Sequence, residues 1–216
     1  MIQFNHNHKK KLNYMFPAFS LLEISIVLVI VGIMAGGVMK GRHIMDSAKT
    51  SSVIQQFQHY VQAIDTYKQI YGYMPGDDPK AQEHFGSIVK NGNGKNFISP
   101  KNSQLVWQHL YHAQLIDKSK VPSSKLGGEF YIHYDLDKNH PGPWLVLSAK
   151  SGSPKPSLTS KIAHQIMQKS GNESPNEGWI NASDGKGDSK SLCVKNKSIN
   201  SSAKNNNVCI VLANLN

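Results

Sequence analysis

Few residues of this chain have types and spacing suited to chemistry. "DLDKNH" (135–140) sets Asp135, Asp137 and Asn139 at alternate positions, as the first ligands of a calcium loop stand. Such a loop continues with Gly and a bidentate Glu. Here His140 and Val146 hold those places, so the segment reads as a polar hairpin turn. Calcium is the one ion its spacing raises. His109 and His112 stand i, i+3 and would share a helix face, but no third ligand has fitting spacing. They read as a packed or solvated pair. Asp77 and Asp78 follow a "MPGD" turn and read as capping or solvating it. No GxSxG, HExxH or phosphate-loop sequence is present, so neither an enzyme activity nor a cofactor is expected. Cys193 and Cys209 flank the polar stretch 194–208. In an exported chain such a pair reads as a disulfide, closing a loop worth about 3 kcal/mol of chain entropy. The other reading is two buried thiols. The most conspicuous group is the carboxylate of Glu23, alone in an apolar run where an ionised side chain is expensive.

That run must be positioned by a helix. Phe19 to Met39 carries no charge other than Glu23, and it would span about 31 Å as a helix, close to a bilayer core. Lys9, Lys10 and Lys11 precede it, which favours a cytoplasmic N-terminus and an exported remainder; Lys40 and Arg42 oppose that weakly. A secretory signal peptide cut at "AGG" (35–37) is the alternative. It leaves Glu23 unexplained, and also the helical pattern beyond residue 39. There Val53, Phe57, Tyr60, Ile64, Tyr67 and Tyr71 recur as one amphipathic stripe, with no proline between Pro17 and Pro75. One helix is predicted from Phe19 to Tyr71, about 80 Å long, with Gly72 as its C-cap. Gly32, Gly36 and Gly37 are its bend-prone positions, each costing about 1 kcal/mol against Ala.

The rest of the chain, 216 residues in all, predicts an α+β unit. A helix is expected over Ser103–Asp117, capped by Ser103, with Val106, Trp107, Leu110 and Tyr111 inward. "EFYIHYDL" (129–136) alternates, with Phe130, Ile132, Tyr134 and Leu136 on one face. "WLVLSA" (144–149) follows a turn. A short helix fits Thr159–Lys169, with Ile162, Ala163 and Ile166 inward, and strands at the two cysteines close the chain. The antiparallel sheet is expected to cover the stripe from Val53 to Tyr71. Lys+Arg number 24 against 14 Asp+Glu, and such a balance favours acidic partners. Yet the lysines are scattered and Arg42 is the only arginine, so nucleic acid is the lesser expectation.

"AFSLLEISIVLVIVGIMAGG" (18–37) resembles the N-terminus of type IV pilins and type II secretion pseudopilins. Their pattern is a small residue, usually Gly, then Phe-Thr-Leu-Ile-Glu and an apolar helix. Here Ala18 precedes Phe19, Ser20, Leu21, Leu22 and Glu23. Ala18 in place of Gly is the departure. The resemblance covers the first 70 residues well and the remainder weakly. It implies a pilin-like fold, with a long helix packed on a small antiparallel sheet. It also implies a leader (1–18), a transmembrane and assembly half-helix (19–39), an amphipathic half (40–72) and a periplasmic domain (73–216). A prepilin peptidase would cut between Ala18 and Phe19 and methylate the new Phe19 amine. The other implied partners are further pilin or pseudopilin subunits, joined through Glu23, and an inner-membrane assembly platform. A DNA-uptake minor pilin is the alternative within the same resemblance.

Overall fold

The computed structural model describes residues 20–99, 102–172, 174–185, 193–200 and 208–215. Helix α1 covers Leu21–Tyr71, unbroken through all three glycines named above. It enters two structural units, one up to Met45 and one from Asp46 onward.

In the first unit every described residue from Ser20 to Val38 is exposed, including Leu21, Leu28 and Ile33. The stretch Leu21–Val38 is long and apolar enough to cross a membrane. Such a helix needs no outside partner for its main chain, because each interior N–H and C=O is bonded within it.

The second unit is α+β. After α1 come α2 (Ala81–Phe85), α3 (Ser103–His112), β1 (Glu129–Tyr134), β2 (Pro143–Ser148), α4 (Ser160–Lys169), β3 (Ile180–Ser183), β4 (Val194–Lys195), β5 (Ser198–Ile199) and β6 (Ile210–Asn214). Four strands form an antiparallel sheet in the order β1-β2-β6-β3, and β4 and β5 form a small hairpin. The last strand therefore lies between β2 and β3. Its run "IVLA" is buried throughout, as a strand covered on both faces requires. Val211 and Ala213 join the main core, while Ile210 and Leu212 join a smaller cluster with Tyr131, Leu136, Trp144 and Val146.

The amphipathic stripe packs as its spacing predicts. Val53, Phe57, Ile64 and Tyr67 are fully buried, and the Phe57 ring meets Phe130 of β1 edge-on at 5.0 Å between centroids. Tyr60 reaches both Phe130 and Trp107 at 5.2 Å. Gly72 ends the helix at φ +77°, its N–H returning to Lys68 O. Thr159 caps α4, accepting from Ile162 N.

Three local expectations are corrected. Helix α3 stops at His112 rather than Asp117, because Gln114 turns to φ +57° and Leu115 N–H closes onto Leu110 O. Its cap position is Asn102, not Ser103, and its inward set is Val106, Trp107, His109 and Leu110; Tyr111 is exposed. In β1 the alternation ends at Tyr134. Asp135 adopts φ +50°, and this one left-handed residue throws Leu136 into the smaller cluster instead of the main core. On α4, Met167 is buried along with Ala163 and Ile166, whereas Ile162 is only half-buried.

Candidate functional site

Glu23 lies in the first turn of α1 and is exposed. Around it the helix satisfies its own polar groups. Ser20 accepts from Leu22 N through its hydroxyl and from Ile24 N through its carbonyl, and the Ser25 hydroxyl donates to Leu22 O at 2.7 Å. The neighbouring hydroxyls are thus consumed locally, and Glu23 pairs with no cation among the described residues. The site is a lone carboxylate near the start of the exposed apolar stretch Leu21–Val38. An acidic group at this end suits the partial positive charge of the helix N-terminus. Ala18 and Phe19 lie outside the described residues, as does the leader 1–18.

Cys193 and Cys209 are joined in a disulfide, with both residues buried and Cα atoms 5.0 Å apart. The bond ties the β4–β5 hairpin to the start of β6. Asp184 Oδ1 accepts from the N–H groups of Cys193 and Val194, and Asn200 N donates to Cys193 O. On the other side, Cys209 O accepts from Ser157 N and Leu158 N.

The "DLDKNH" segment is a turn held by its own side chains. Asp135 Oδ1 accepts from Gly142 N. Asp137 Oδ1 accepts from Asn139 N and His140 Nδ1, and its Oδ2 accepts from the Ser183 hydroxyl. Burial works to raise the Asp137 carboxyl, but these bonds, led by His140, hold it below the ordinary value. One oxygen of Asp135 and both of Asp137 are taken by these bonds, and among the described residues no group of three His, Cys, Asp or Glu side chains is placed to hold a metal.

A second buried polar cluster has no counterpart in the sequence reading. Asp77 and Asp78 are buried rather than solvated. Asp77 accepts from Lys95 N and Asn96 N; Asp78 accepts from Lys80 N and the Tyr67 hydroxyl. His109 Nδ1 accepts from Gly76 N at 3.0 Å, so its proton sits on Nε2, which donates to Lys90 O at 2.9 Å. Burial lowers the His109 pKa and outweighs the pull of its Lys90 partner and of Asp78. Burial and the bond to Asp78 push the Tyr67 hydroxyl far above its ordinary value. The loop at residues 91–96 comes close enough that a Cβ on Gly92 would strike the Asp77 main chain. Both carboxylates and both imidazole nitrogens are occupied by main-chain or hydroxyl partners. This cluster joins α1, α3 and two loops, which is a structural task. The available signal was His109 itself, a histidine falling between Val106 and Leu110 on the inward face of α3. His112, by contrast, packs on Tyr111 and Phe85.

Comparison with protein-family models, with curated proteins and with solved structures returned no match.

Proposed function

We propose that the chain is a filament subunit, a pilin or pseudopilin of a type IV pilus or type II secretion pseudopilus. The observation that carries this reading is Leu21–Val38, wholly exposed and apolar, with Glu23 as its one charge. On this reading the helix holds the subunit in the inner membrane, N-terminus in the cytoplasm and α+β unit in the periplasm. Prepilin peptidase removes residues 1–18 and methylates the Phe19 amine. In the filament, apolar helices from neighbouring subunits replace lipid around each span. A buried ammonium and a buried carboxylate are each costly there, and pairing Phe19 with Glu23 of the adjacent copy cancels both. Such a pair fixes register more than it adds net stability. The buried disulfide fits an oxidising compartment. The pilin-like arrangement of the fold belongs to this proposal as well. The test is co-expression of the full chain with a prepilin peptidase, followed by intact-mass analysis. A loss of about 2 kDa from 23.9 kDa, leaving Phe19 first, is the expected result. A cut after Ala35 or Gly37 would mean an ordinary signal peptide and end the reading.

The excess of basic over acidic residues, 24 against 14, favours one further reading, a minor subunit that binds DNA during uptake. Affinity for duplex DNA that falls steeply with salt would support it, and weak binding insensitive to salt would exclude it.

A further inference from the structure

Past α3 the chain returns across α1, and Gln56 Nε2 donates to Ser123 O at 3.3 Å to hold it there. A cavity of about 340 Å³ remains between that returning segment and the helix. This is at the low end of the volumes that small ligands fill, roughly 300–1,000 Å³. Its wall is sorted by chemistry. Ile116, Val121 and Pro122 give it an apolar side, and Gln56, Tyr60 and Asp117 give it acceptors. Gln56 Oε1 is turned from solvent and no donor meets it, a cost that an N–H entering the cavity would remove. Asp117 is exposed. Among the described residues no cation stands within ion-pair distance of it, although Lys118 and Lys120 line the same cavity. The three acceptors are neighbours. Burial raises the Tyr60 hydroxyl pKa, a bond from Gln56 opposes that, and the Asp117 charge adds to it.

We infer that this cavity binds a free α-amino acid with an apolar side chain. Its ammonium, with three N–H donors, goes to Gln56 Oε1, the Tyr60 hydroxyl oxygen and the Asp117 carboxylate. Its carboxylate turns outward to Lys118 and Lys120, both exposed. Its side chain lies on the apolar wall. Charge selects this class of ligand. A plain amine would bring its charge beside two lysines. A plain carboxylic acid would meet Asp117 and leave Gln56 Oε1 unpaired. A zwitterion suits both signs at once. Bound there, it ties α1 to residues 116–123 beside the Gln56–Ser123 bond, and it stabilises the folded chain by mass action. The inference needs neither a membrane span nor a filament, so it stands or falls apart from the proposed function.

The probe is L-leucine, titrated calorimetrically into the full chain in detergent, in slightly acidic buffer where every amine is protonated. Saturable binding is expected, with a raised Tm at saturating leucine. Leucine methyl ester keeps only the ammonium and N-acetyl-leucine only the carboxylate, and each should bind at least tenfold more weakly. Asp117→Asn should weaken leucine binding at least tenfold while leaving the ligand-free Tm unchanged, because the side chain is exposed. Lys118→Gln with Lys120→Gln should remove the preference for leucine over its methyl ester. Gln56→Leu should weaken binding too; should that variant not fold, Asp117→Asn decides. The inference is overturned by the absence of saturable heat with millimolar leucine, or by wild-type affinity in Asp117→Asn. N-acetyl-leucine binding as tightly as leucine would show that no ammonium is held and would overturn it as well. Leucyl-leucine binding tenfold more tightly than leucine would put a peptide end in the cavity and sink the free amino acid.

Discussion

On the proposed reading the Glu23 carboxylate, in the first turn of an apolar helix stretch, has two environments to satisfy. In a bilayer it would stand about 3 Å along α1 from Leu21, the first residue of the helix, near enough to the headgroups that its cost is modest. In the proposed filament that escape is gone, and only the neighbouring amine would relieve it. Glu23→Ala should therefore leave insertion and cleavage at Ala18/Phe19 nearly intact while abolishing or strongly reducing assembly. Immunoblots for processing, paired with sheared or pseudopilus fractions for assembly, separate the two. Wild-type assembly of the processed variant would reduce Glu23 to an interfacial residue. His109 poses the opposite problem, a titratable group kept neutral. Its Nδ1 is committed to Gly76 N–H, so a proton there evicts a main-chain donor. The groups facing it are Tyr67 from α1, Asp78 and Gly76 from the turn, His112 on α3 and the Lys90 carbonyl. Because its folded pKa is depressed, its contribution is fully present above the unfolded value near 6.5 and is lost as pH falls through the folded value. Thermal melts of the full chain in detergent should thus show Tm dropping from pH 7.5 to 5. His109→Gln should start lower and fall less over that window. Equal slopes for both proteins would show that His109 does not titrate on unfolding.

At the scale of elements, the amphipathic half of α1 is the platform on which the sheet rests. Phe57 is fully buried against Phe130, and its removal leaves a ring-sized void in a close-packed core. Phe57→Ala should cost about 3–5 kcal/mol, read as a lowered urea midpoint of the detergent-solubilised chain. Gln58→Ala, one residue away on the solvent face, should cost under about 0.5 kcal/mol. This contrast also shows why so much of the fold was legible. A stripe at 3.6-residue spacing, an alternating "FYIHY" and a Thr159 cap are local signals, and each formed the element it announced. What escaped depends on single main-chain torsions or distant pairings. Nothing in "DLDKNH" announces that Asp135 will turn left-handed and reverse Leu136. The strand "INAS" is too short and polar to stand out, and it forms because β6 offers it a partner. Asp77 read as capping or solvating its turn because the N–H groups that meet its carboxylate come from residues 95 and 96, in a glycine-rich loop with no pattern of its own; Asp78 is closed instead by Lys80 N–H and the Tyr67 hydroxyl.

For the whole molecule, the proposed topology links two features far apart in the chain. Lys9, Lys10 and Lys11 stand before the apolar run, and Lys40 and Arg42 follow it. Basic residues flanking a span are retained on the cytoplasmic side, and the larger cluster prevails. In the proposed topology the first cluster wins and the α+β unit is exported. There oxidation joins Cys193 to Cys209, and the bond keeps the β4–β5 hairpin on the core. Replacing all three leading lysines with glutamine leaves Lys40 and Arg42 as the stronger flank. The orientation should then invert in a large share of molecules, holding both cysteines in a reducing compartment. The disulfide thus reports which side of the membrane the domain occupies. In cells, rapid acid quenching and alkylation with a mass-tagged maleimide should label almost no wild-type chains, because the chain has no cysteine outside the pair. The triple variant should yield a substantial doubly labelled fraction. Unchanged oxidation in the variant, with the protein still in the membrane, would show that these lysines do not set its orientation. Double labelling of the wild type would place the domain on the reducing side and remove the export reading altogether.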